Sequence, residues 1–417
     1  MRLLDSLAPL PFNLGSVDPI AVAHILADVR ERGMAALTDH TRRFDRVVPP
    51  RWTLGRDELQ EAWHSLPPQT QQALQRAAAN IERFANAQRA AMQAFEFEIE
   101  PGVFVGQRLE PTASVACYVP GGRYPLPSTV LMTALPARAA GVQRVVILTP
   151  PGRQGLPDRH ILAAAWLAGA EAVHPVGGVQ AIGAAAYGAE EIAAVDLIVG
   201  PGNAWVTEAK RQVYGAVGID SLAGPSEVMV LFDDSSNLPR VAADLLAQAE
   251  HDVDAHAIAV TDSRAAALQL LDEVERQLTT LPTADVARQS LQRHGIVVVV
   301  ADRAAMAAAA NLRRPEHLEV HTRHAAELGA QCTAFGGLFI GGDAAEVLGD
   351  YCAGPSHVLP TAGASRYTGG LGVQTFMRVL TTQRSENGAS APLAHTAALL
   401  ARIEGLEGHA RAADLRK

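Results

Sequence analysis

The sequence predicts an α/β protein built on two doubly wound parallel sheets, with a helical N-terminal region and an extended C-terminal tail. Three observations carry this. From about residue 113 to 340, short apolar runs alternate with helical stretches, the pattern of strand–helix–strand units. Several of those runs end in Gly/Pro turns, where a strand hands over to a helix. Before residue 113, apolar residues recur at helical spacing instead.

Each element follows in order. Residues 18–45 read as helical, and residues 70–95 more strongly so. In the second stretch Leu74, Ala77, Ile81, Phe84, Ala87, Ala91 and Phe95 recur every three or four positions, which gives one apolar stripe. Ser114–Val119 reads as a strand ending at Pro120-Gly121-Gly122. A helix follows at about 128–140, then the strand Arg144–Thr149, a helix near 159–168 and a short strand at 172–176. Gly177-Gly178 opens another helix, and the strand Val195–Val199 ends at Gly200-Pro201-Gly202-Asn203 before a helix at 203–214. A second series starts at Glu227–Phe232, continues through a helix at 237–251, and adds strands at His256–Val260 and Ile296–Val300. The boundary between the two series falls near 225–235. Residues 389–404 form a last helix, with Leu393, Ala397, Leu400 and Ile403 on one stripe that must dock on its own domain or a neighbouring subunit.

Composition narrows the classes. The chain has 417 residues, 48% apolar and 19% charged, with a formal charge of -9. This is globular material with room for two or three domains. No basic face is visible, which argues against a nucleic-acid partner. Arg42-Arg43 and Arg313-Arg314 read as solvated surface. The three widely spaced cysteines, Cys117, Cys332 and Cys352, argue for a reducing compartment. No apolar run reaches a membrane span or a signal peptide, so the expected location is the cytoplasm.

The residues suited to chemistry lie in odd places. Asp350 and His357 frame a Gly/Pro-punctuated loop, and loops on a rigid scaffold carry function. Gln248 continues the apolar stripe of its helix, where an unpaired amide is costly, and His251 shares its face three residues on. Glu316-His317 follows Pro315; a carboxylate beside an imidazole makes a general acid/base pair. Histidines and an aspartate on separate segments fit a zinc-like divalent site with nitrogen and oxygen ligands. Cys117 and Cys352 are candidate thiols, though cysteine is commonly a small buried apolar residue. The glycine turns suit a ligand at the carboxyl ends of a parallel sheet. None matches the full dinucleotide fingerprint, because Gly200-Pro201-Gly202-Asn203-Ala204-Trp205 lacks the third glycine.

Six segments in one order resemble the histidinol dehydrogenase family: Tyr118–Gly122, Ser128–Met132, Val199–Asn203, Ala223–Glu227, Pro315–Glu319 and Gly349–Tyr351. The resemblance runs from about residue 18 to the C-terminus. It implies two incomplete Rossmann-like domains in an interlocked homodimer. The implied division is an arm at 1–17, a larger domain of 18–117 with 233–371, a second domain of 118–232, and a tail of 372–417 reaching the partner. The implied activity is oxidation of L-histidinol to L-histidine through bound L-histidinaldehyde, with one zinc per subunit and two NAD per substrate. By resemblance Gln248, His251, Asp350 and the partner's His409 hold the zinc. Glu316 and His317 are the acid/base pair. Tyr118, Gln180 and Asn203 contact NAD. Ser226 and Glu404 join Gln248, His251, His317, Asp350 and His409 around the substrate.

Arg123, Arg314 and Cys352 depart from the small residues usual at their positions. An arginine near the pocket would favour an anionic ligand. The resemblance also covers relatives acting on other alcohols, so the alternative is a zinc- and NAD-dependent dehydrogenase of the same fold acting on another polar alcohol, such as a sulfonated or anionic one.

Overall fold

The computed structural model describes residues 1–7, 15, 17–121, 124–386 and 388–417. Gly122 and Arg123 of the first glycine turn, and much of the arm at 1–17, lie outside the described residues.

Two parallel sheets form the frame. One has five strands in the order Ala172–Pro175, Arg144–Thr149, Ser114–Tyr118, Leu197–Val199 and Gly218–Ile219. The other has six: Arg2–Leu4, Ile296–Val299, His256–Thr261, Glu227–Phe232, His317–Val320 and Gly337–Ile340. Leaving aside Arg2–Leu4 at its edge, the second sheet repeats the winding of the first. In each, the chain runs outward from its first strand, then returns to that strand's other side, creating a switch point. The inner strands Arg144–Thr149, Ser114–Tyr118, Glu227–Phe232 and His256–Thr261 are largely buried and read as mainly apolar runs, as covered parallel strands do.

The N-terminal helices, assigned by resemblance with residues 233–371, pack against the five-stranded sheet. Pro19–Arg32 lies on the helices Gly178–Tyr187 and Ala204–Val213, Arg56–His64 on Arg159–Leu167, and Pro68–Ala91 on Pro127–Ala140. The expected helix at 18–45 is two helices, Pro19–Arg32 and Met34–Phe44, broken at Gly33 with φ 52°. The expected helix at 70–95 spans Pro68–Ala91 and buries Ala77, Ala78, Ile81 and Ala85. Phe84 is exposed, and Phe95 belongs to a strand.

That strand opens a small antiparallel sheet absent from the sequence reading. Phe95–Glu100 pairs with Val103–Pro111, which pairs with Met377–Ser385 from the tail. The tail helices Ala391–Ile403 and Glu407–Asp414 then pack on each other around Ala398, Ala401, Ala410 and Ala413. Leu400 and Ile403 of the predicted stripe stay 54% and 74% exposed. No described helix is long and apolar enough to cross a membrane.

Candidate active site

The five-stranded sheet places a cavity of about 1040 Å³ at its carboxyl ends. Tyr118 ends its strand, Gln180 follows Gly178 at a helix start, and Asn203 caps the helix after the next strand; all three line the cavity. The cavity sits at the switch point, between Ser114–Tyr118 and Leu197–Val199. The glycines there permit close approach. A Cβ on Gly177 would meet Pro150 at 2.3 Å, and one on Gly200, at φ 112°, would meet the Tyr118 carbonyl oxygen at 2.2 Å. Gly178 N–H donates to the Tyr118 phenol oxygen at 3.0 Å, and burial pushes that phenol up to about 12. The Asn203 Oδ1 is taken by the N–H groups of Trp205 and Val206 at 3.1 and 3.2 Å. The opposite wall comes from the first two helices, through His24, Asp28, His40, Phe44 and Asp45. A carboxylate oxygen of Asp45 is buried without a partner, and burial raises that acid to about 6.

The six-stranded sheet builds a second site at the other ends of its strands. His317 begins its strand with Glu316 just before it, and both are buried. The helix Leu238–Ala249, antiparallel to these strands, brings Gln248 in its last turn and His251 just beyond. Asp350 comes from the wide turn Gly349–Ala353. His317 Nε2 lies 3.3 Å from Asp350 Oδ1, and Nδ1 lies 3.8 Å from Glu316 Oε2 and 3.6 Å from Glu346 Oε1. Ligand atoms of His251, Glu346 and Asp350 lie within 4.8 Å of one another.

Electrostatics follow from that crowding. Burial opposes charge on His317, but the carboxylates of Glu346, Glu316 and Asp350 outweigh it and raise the imidazole well above its ordinary value. Burial lifts Glu316 to about 8 although His317 works the other way. Glu316 Oε2 accepts from Glu227 N–H at 2.9 Å. Burial also raises Glu346 well above the usual carboxylate range. Asp350 goes down because His317 outweighs its own desolvation. Gln248 is 0% exposed, and neither its Oε1 nor its Nε2 has a hydrogen-bond partner. A buried amide left bare costs several kcal/mol in an apolar setting, so its oxygen suits a ligand. The carboxylates and imidazole within this space fit a divalent metal such as zinc, and the Gln248 amide oxygen three residues before His251 is a further candidate ligand.

Other expected residues separate. Ser226 sits half-buried one residue before Glu227, whose backbone holds Glu316. Glu404 and His409 are exposed on the tail, and no described contact joins them to this site. His357 is committed elsewhere: Nδ1 lies 3.0 Å from the Asp350 carbonyl oxygen and Nε2 3.0 Å from Thr129 Oγ1. With both nitrogens engaged, it fastens the Asp350 loop to the helix Pro127–Ala140. Cys117 is fully buried in a strand, and burial pushes its thiol up to about 12, which suits packing and not attack. Cys352 is half-buried, with its carbonyl oxygen accepting from Asn80 Nδ2 at 2.9 Å.

Arg313 is not solvated surface. It is 4% exposed, its Nε donates to Glu227 Oε2 at 3.0 Å, and it lies 3.2 Å from His256 Nδ1. Its partner Glu227 also holds Glu316 through its backbone N–H, and Arg314 adopts a left-handed conformation at φ 56°. Glu346 escaped the sequence reading, although it lies four residues before Asp350, a spacing that shares a face on a helical turn.

A buried carboxylate–imidazole cluster at one sheet and a cleft of about 1040 Å³ at the switch point of another fit an α/β oxidoreductase. Comparisons with known proteins give the particular family. The family model described as histidinol dehydrogenase matches residues 16–417. A histidinol dehydrogenase from Lactiplantibacillus plantarum is 44% identical over 396 residues, covering 95% of this chain and 92% of that one. One from Geobacillus kaustophilus is 42% identical, covering 95% and 93%. The crystal structure of histidinol dehydrogenase from Elizabethkingia anophelis superposes with a TM-score of 0.93 at 33% identity, covering 100% of this chain and 98% of that one. A putative aldehyde dehydrogenase from Burkholderia cenocepacia, at 13% identity and a TM-score of 0.51, shares the fold alone. The chain belongs to the histidinol dehydrogenase family, dehydrogenases of histidine biosynthesis.

Proposed function

We propose that this protein oxidises L-histidinol to L-histidine through enzyme-held L-histidinaldehyde, as a homodimer that uses one zinc per subunit and two NAD per turnover. The observation that carries this reading is the cluster of His251, Glu346 and Asp350 against the Glu316–His317 pair, with the bare, buried Gln248 amide three residues before His251. Gln248, His251 and Asp350 would hold the zinc, with His409 of the partner subunit completing the set. Zinc supplies a grip on the substrate's imidazole and amine, and NAD accepts each hydride. Tyr118, Gln180 and Asn203 would bind NAD in the cleft.

The chain's own residues do the rest. Gln248, His251, Asp350, Ser226 and Glu404 of the partner subunit orient the substrate. His317 takes the hydroxyl proton as the carbinol hydride leaves, giving the aldehyde. Glu316, as carboxylate, takes a proton from water as it adds to the carbonyl carbon, and His317 hands its proton to the carbonyl oxygen, which gives the hydrate and frees the imidazole. His317 then takes the hydrate's hydroxyl proton as the second hydride leaves, giving the acid. The implied division of 1–17, 18–117 with 233–371, 118–232 and 372–417 needs its bounds moved, because 117/118 cuts the strand Ser114–Tyr118 of one sheet and 118–232 takes in the strand Glu227–Phe232 of the other; the proposed units are the two sheets with their helices and the tail. An exposed tail hairpin packed mainly on itself supports exchange between subunits.

The test follows NADH formation with L-histidinol, before and after chelation and zinc return. Two NADH per L-histidinol, lost on chelation and restored by zinc, is the expected result. No turnover by folded, zinc-loaded protein would overturn the reading.

A further inference from the structure

The strand His317–Val320 carries a polar file on one face. His317 and Glu319 alternate with Leu318 and Val320, and His321 continues the file just past the strand's end. Only His317 belongs to the site described above. The Glu319 side chain is 0% exposed and that of His321 1%, and both face Asp244 of the helix Leu238–Ala249. His321 Nε2 lies 3.1 Å from Glu319 Oε2 and 3.6 Å from Asp244 Oδ2. The spacing resembles a cation site, but the oxygens of Glu319 are already committed. Its Oε1 accepts from Glu346 N–H at 2.6 Å, and its Oε2 faces His321.

Glu346 N–H is the first donor of the turn Glu346–Leu348, and such donors have no partner within their own turn. That turn runs straight into Gly349–Ala353, which carries Asp350. Apolar packing holds this segment poorly, since Val347 and Leu348 are 44% and 48% exposed. Polar ties hold it instead. Asn80 and His357 fasten its far end through the carbonyls of Cys352 and Asp350. Glu319 fastens the near end.

We propose that Glu319 is a positioning residue: its carboxylate clamps the Glu346 N–H and so sets where Glu346 and Asp350 stand in the active site, while His321 holds that carboxylate still. A short, charge-assisted hydrogen bond out of water is strong and directional. Burial, and then the Glu319 charge, raise Asp244 to about 7, so near neutrality a proton relieves repulsion within the cluster. The inference rests on the functional reading above in taking Asp350 as a metal ligand.

Two substitutions separate the clamp from mere packing. Glu319→Met keeps the volume and removes the acceptor, whereas Glu319→Gln keeps an acceptor oxygen and removes the charge. The zinc dissociation constant is read by competition with a chromophoric chelator, beside kcat and KM for L-histidinol and NADH binding. Glu319→Met should weaken zinc by about tenfold or more and lower kcat, with NADH affinity at the other sheet's cleft kept. Glu319→Gln should stay within about threefold of the parent in zinc affinity. Folded Glu319→Met with parental zinc affinity and kcat overturns the clamp. So does Glu319→Gln losing zinc as badly as Glu319→Met. Should Glu319→Met fail to fold, a loss beyond about tenfold in folded Glu319→Gln overturns it alone. Parent protein that binds zinc without oxidising L-histidinol sinks the substrate reading but leaves the metal-affinity test of the clamp intact. Parent protein that binds no zinc sinks both.

Discussion

Arg313 and Glu227 hold each other in a space with almost no water, their side chains 4% and 1% exposed. Removing one partner strands the other's charge. Arg313→Ala should therefore cost about 3–5 kcal/mol in urea unfolding, far more than a surface arginine would. Glu316 has a different job. Glu316→Gln should lower kcat by about a hundredfold or more while leaving zinc affinity near the parent's, since Glu316 is not among the proposed ligands. Asp45 carries a pH signature. Burial raises its acid from 3.8 to about 6, so folding favours the protonated form. The stability it contributes is fully present below its ordinary value and disappears as pH rises through about 6. Asp45→Asn should thus melt above the parent at pH 8 and together with it at pH 3, in parallel thermal scans.

At the scale of elements, Gly33 separates two helices that a continuous stripe would fuse. Its φ is 52°, and an added Cβ would meet the Glu190 carboxylate at 2.7 Å, where Glu190 accepts from Met34 N–H. Gly33→Ala should destabilise the protein by about 1–2 kcal/mol, seen as a lower urea midpoint. The alternating series was legible because covered parallel strands leave dense apolar runs, and helices between them leave a different period. The antiparallel sheet was equally written in Phe95-Glu96-Phe97-Glu98-Ile99-Glu100, a strict alternation. It was overlooked because Phe95 also fits the end of a helical stripe. The polar file His317, Glu319, His321 shows the same period of two on a strand otherwise apolar. What no local pattern reveals is opposition: Asp244 meets Glu319, and Arg313 meets Glu227, only through tertiary packing. Asp45 at the cleft wall is hidden likewise, because a helix end from another part of the chain brings it there.

For the whole molecule, the proposal makes the partner's tail decide whether the site is complete. Under the proposed exchange, Gln248→Ala and His409→Ala are each inactive alone. They damage opposite contributors to one site, so random reassociation of the two gives mixed dimers with one intact site. Mixing equal amounts after mild dissociation should restore about a quarter of parental activity, and failure to recover any would refute the exchange. The two sheets also use opposite strand ends, the cleft at carboxyl termini and the acid/base centre at amino termini. Under the proposed reading, coenzyme and substrate are gripped by different walls. One spent nucleotide can depart and a fresh one arrive without loosening whatever the other wall still holds. A reactive carbonyl would wait out that exchange in place, so an external trap such as semicarbazide, present throughout turnover, should divert little of the carbon flux.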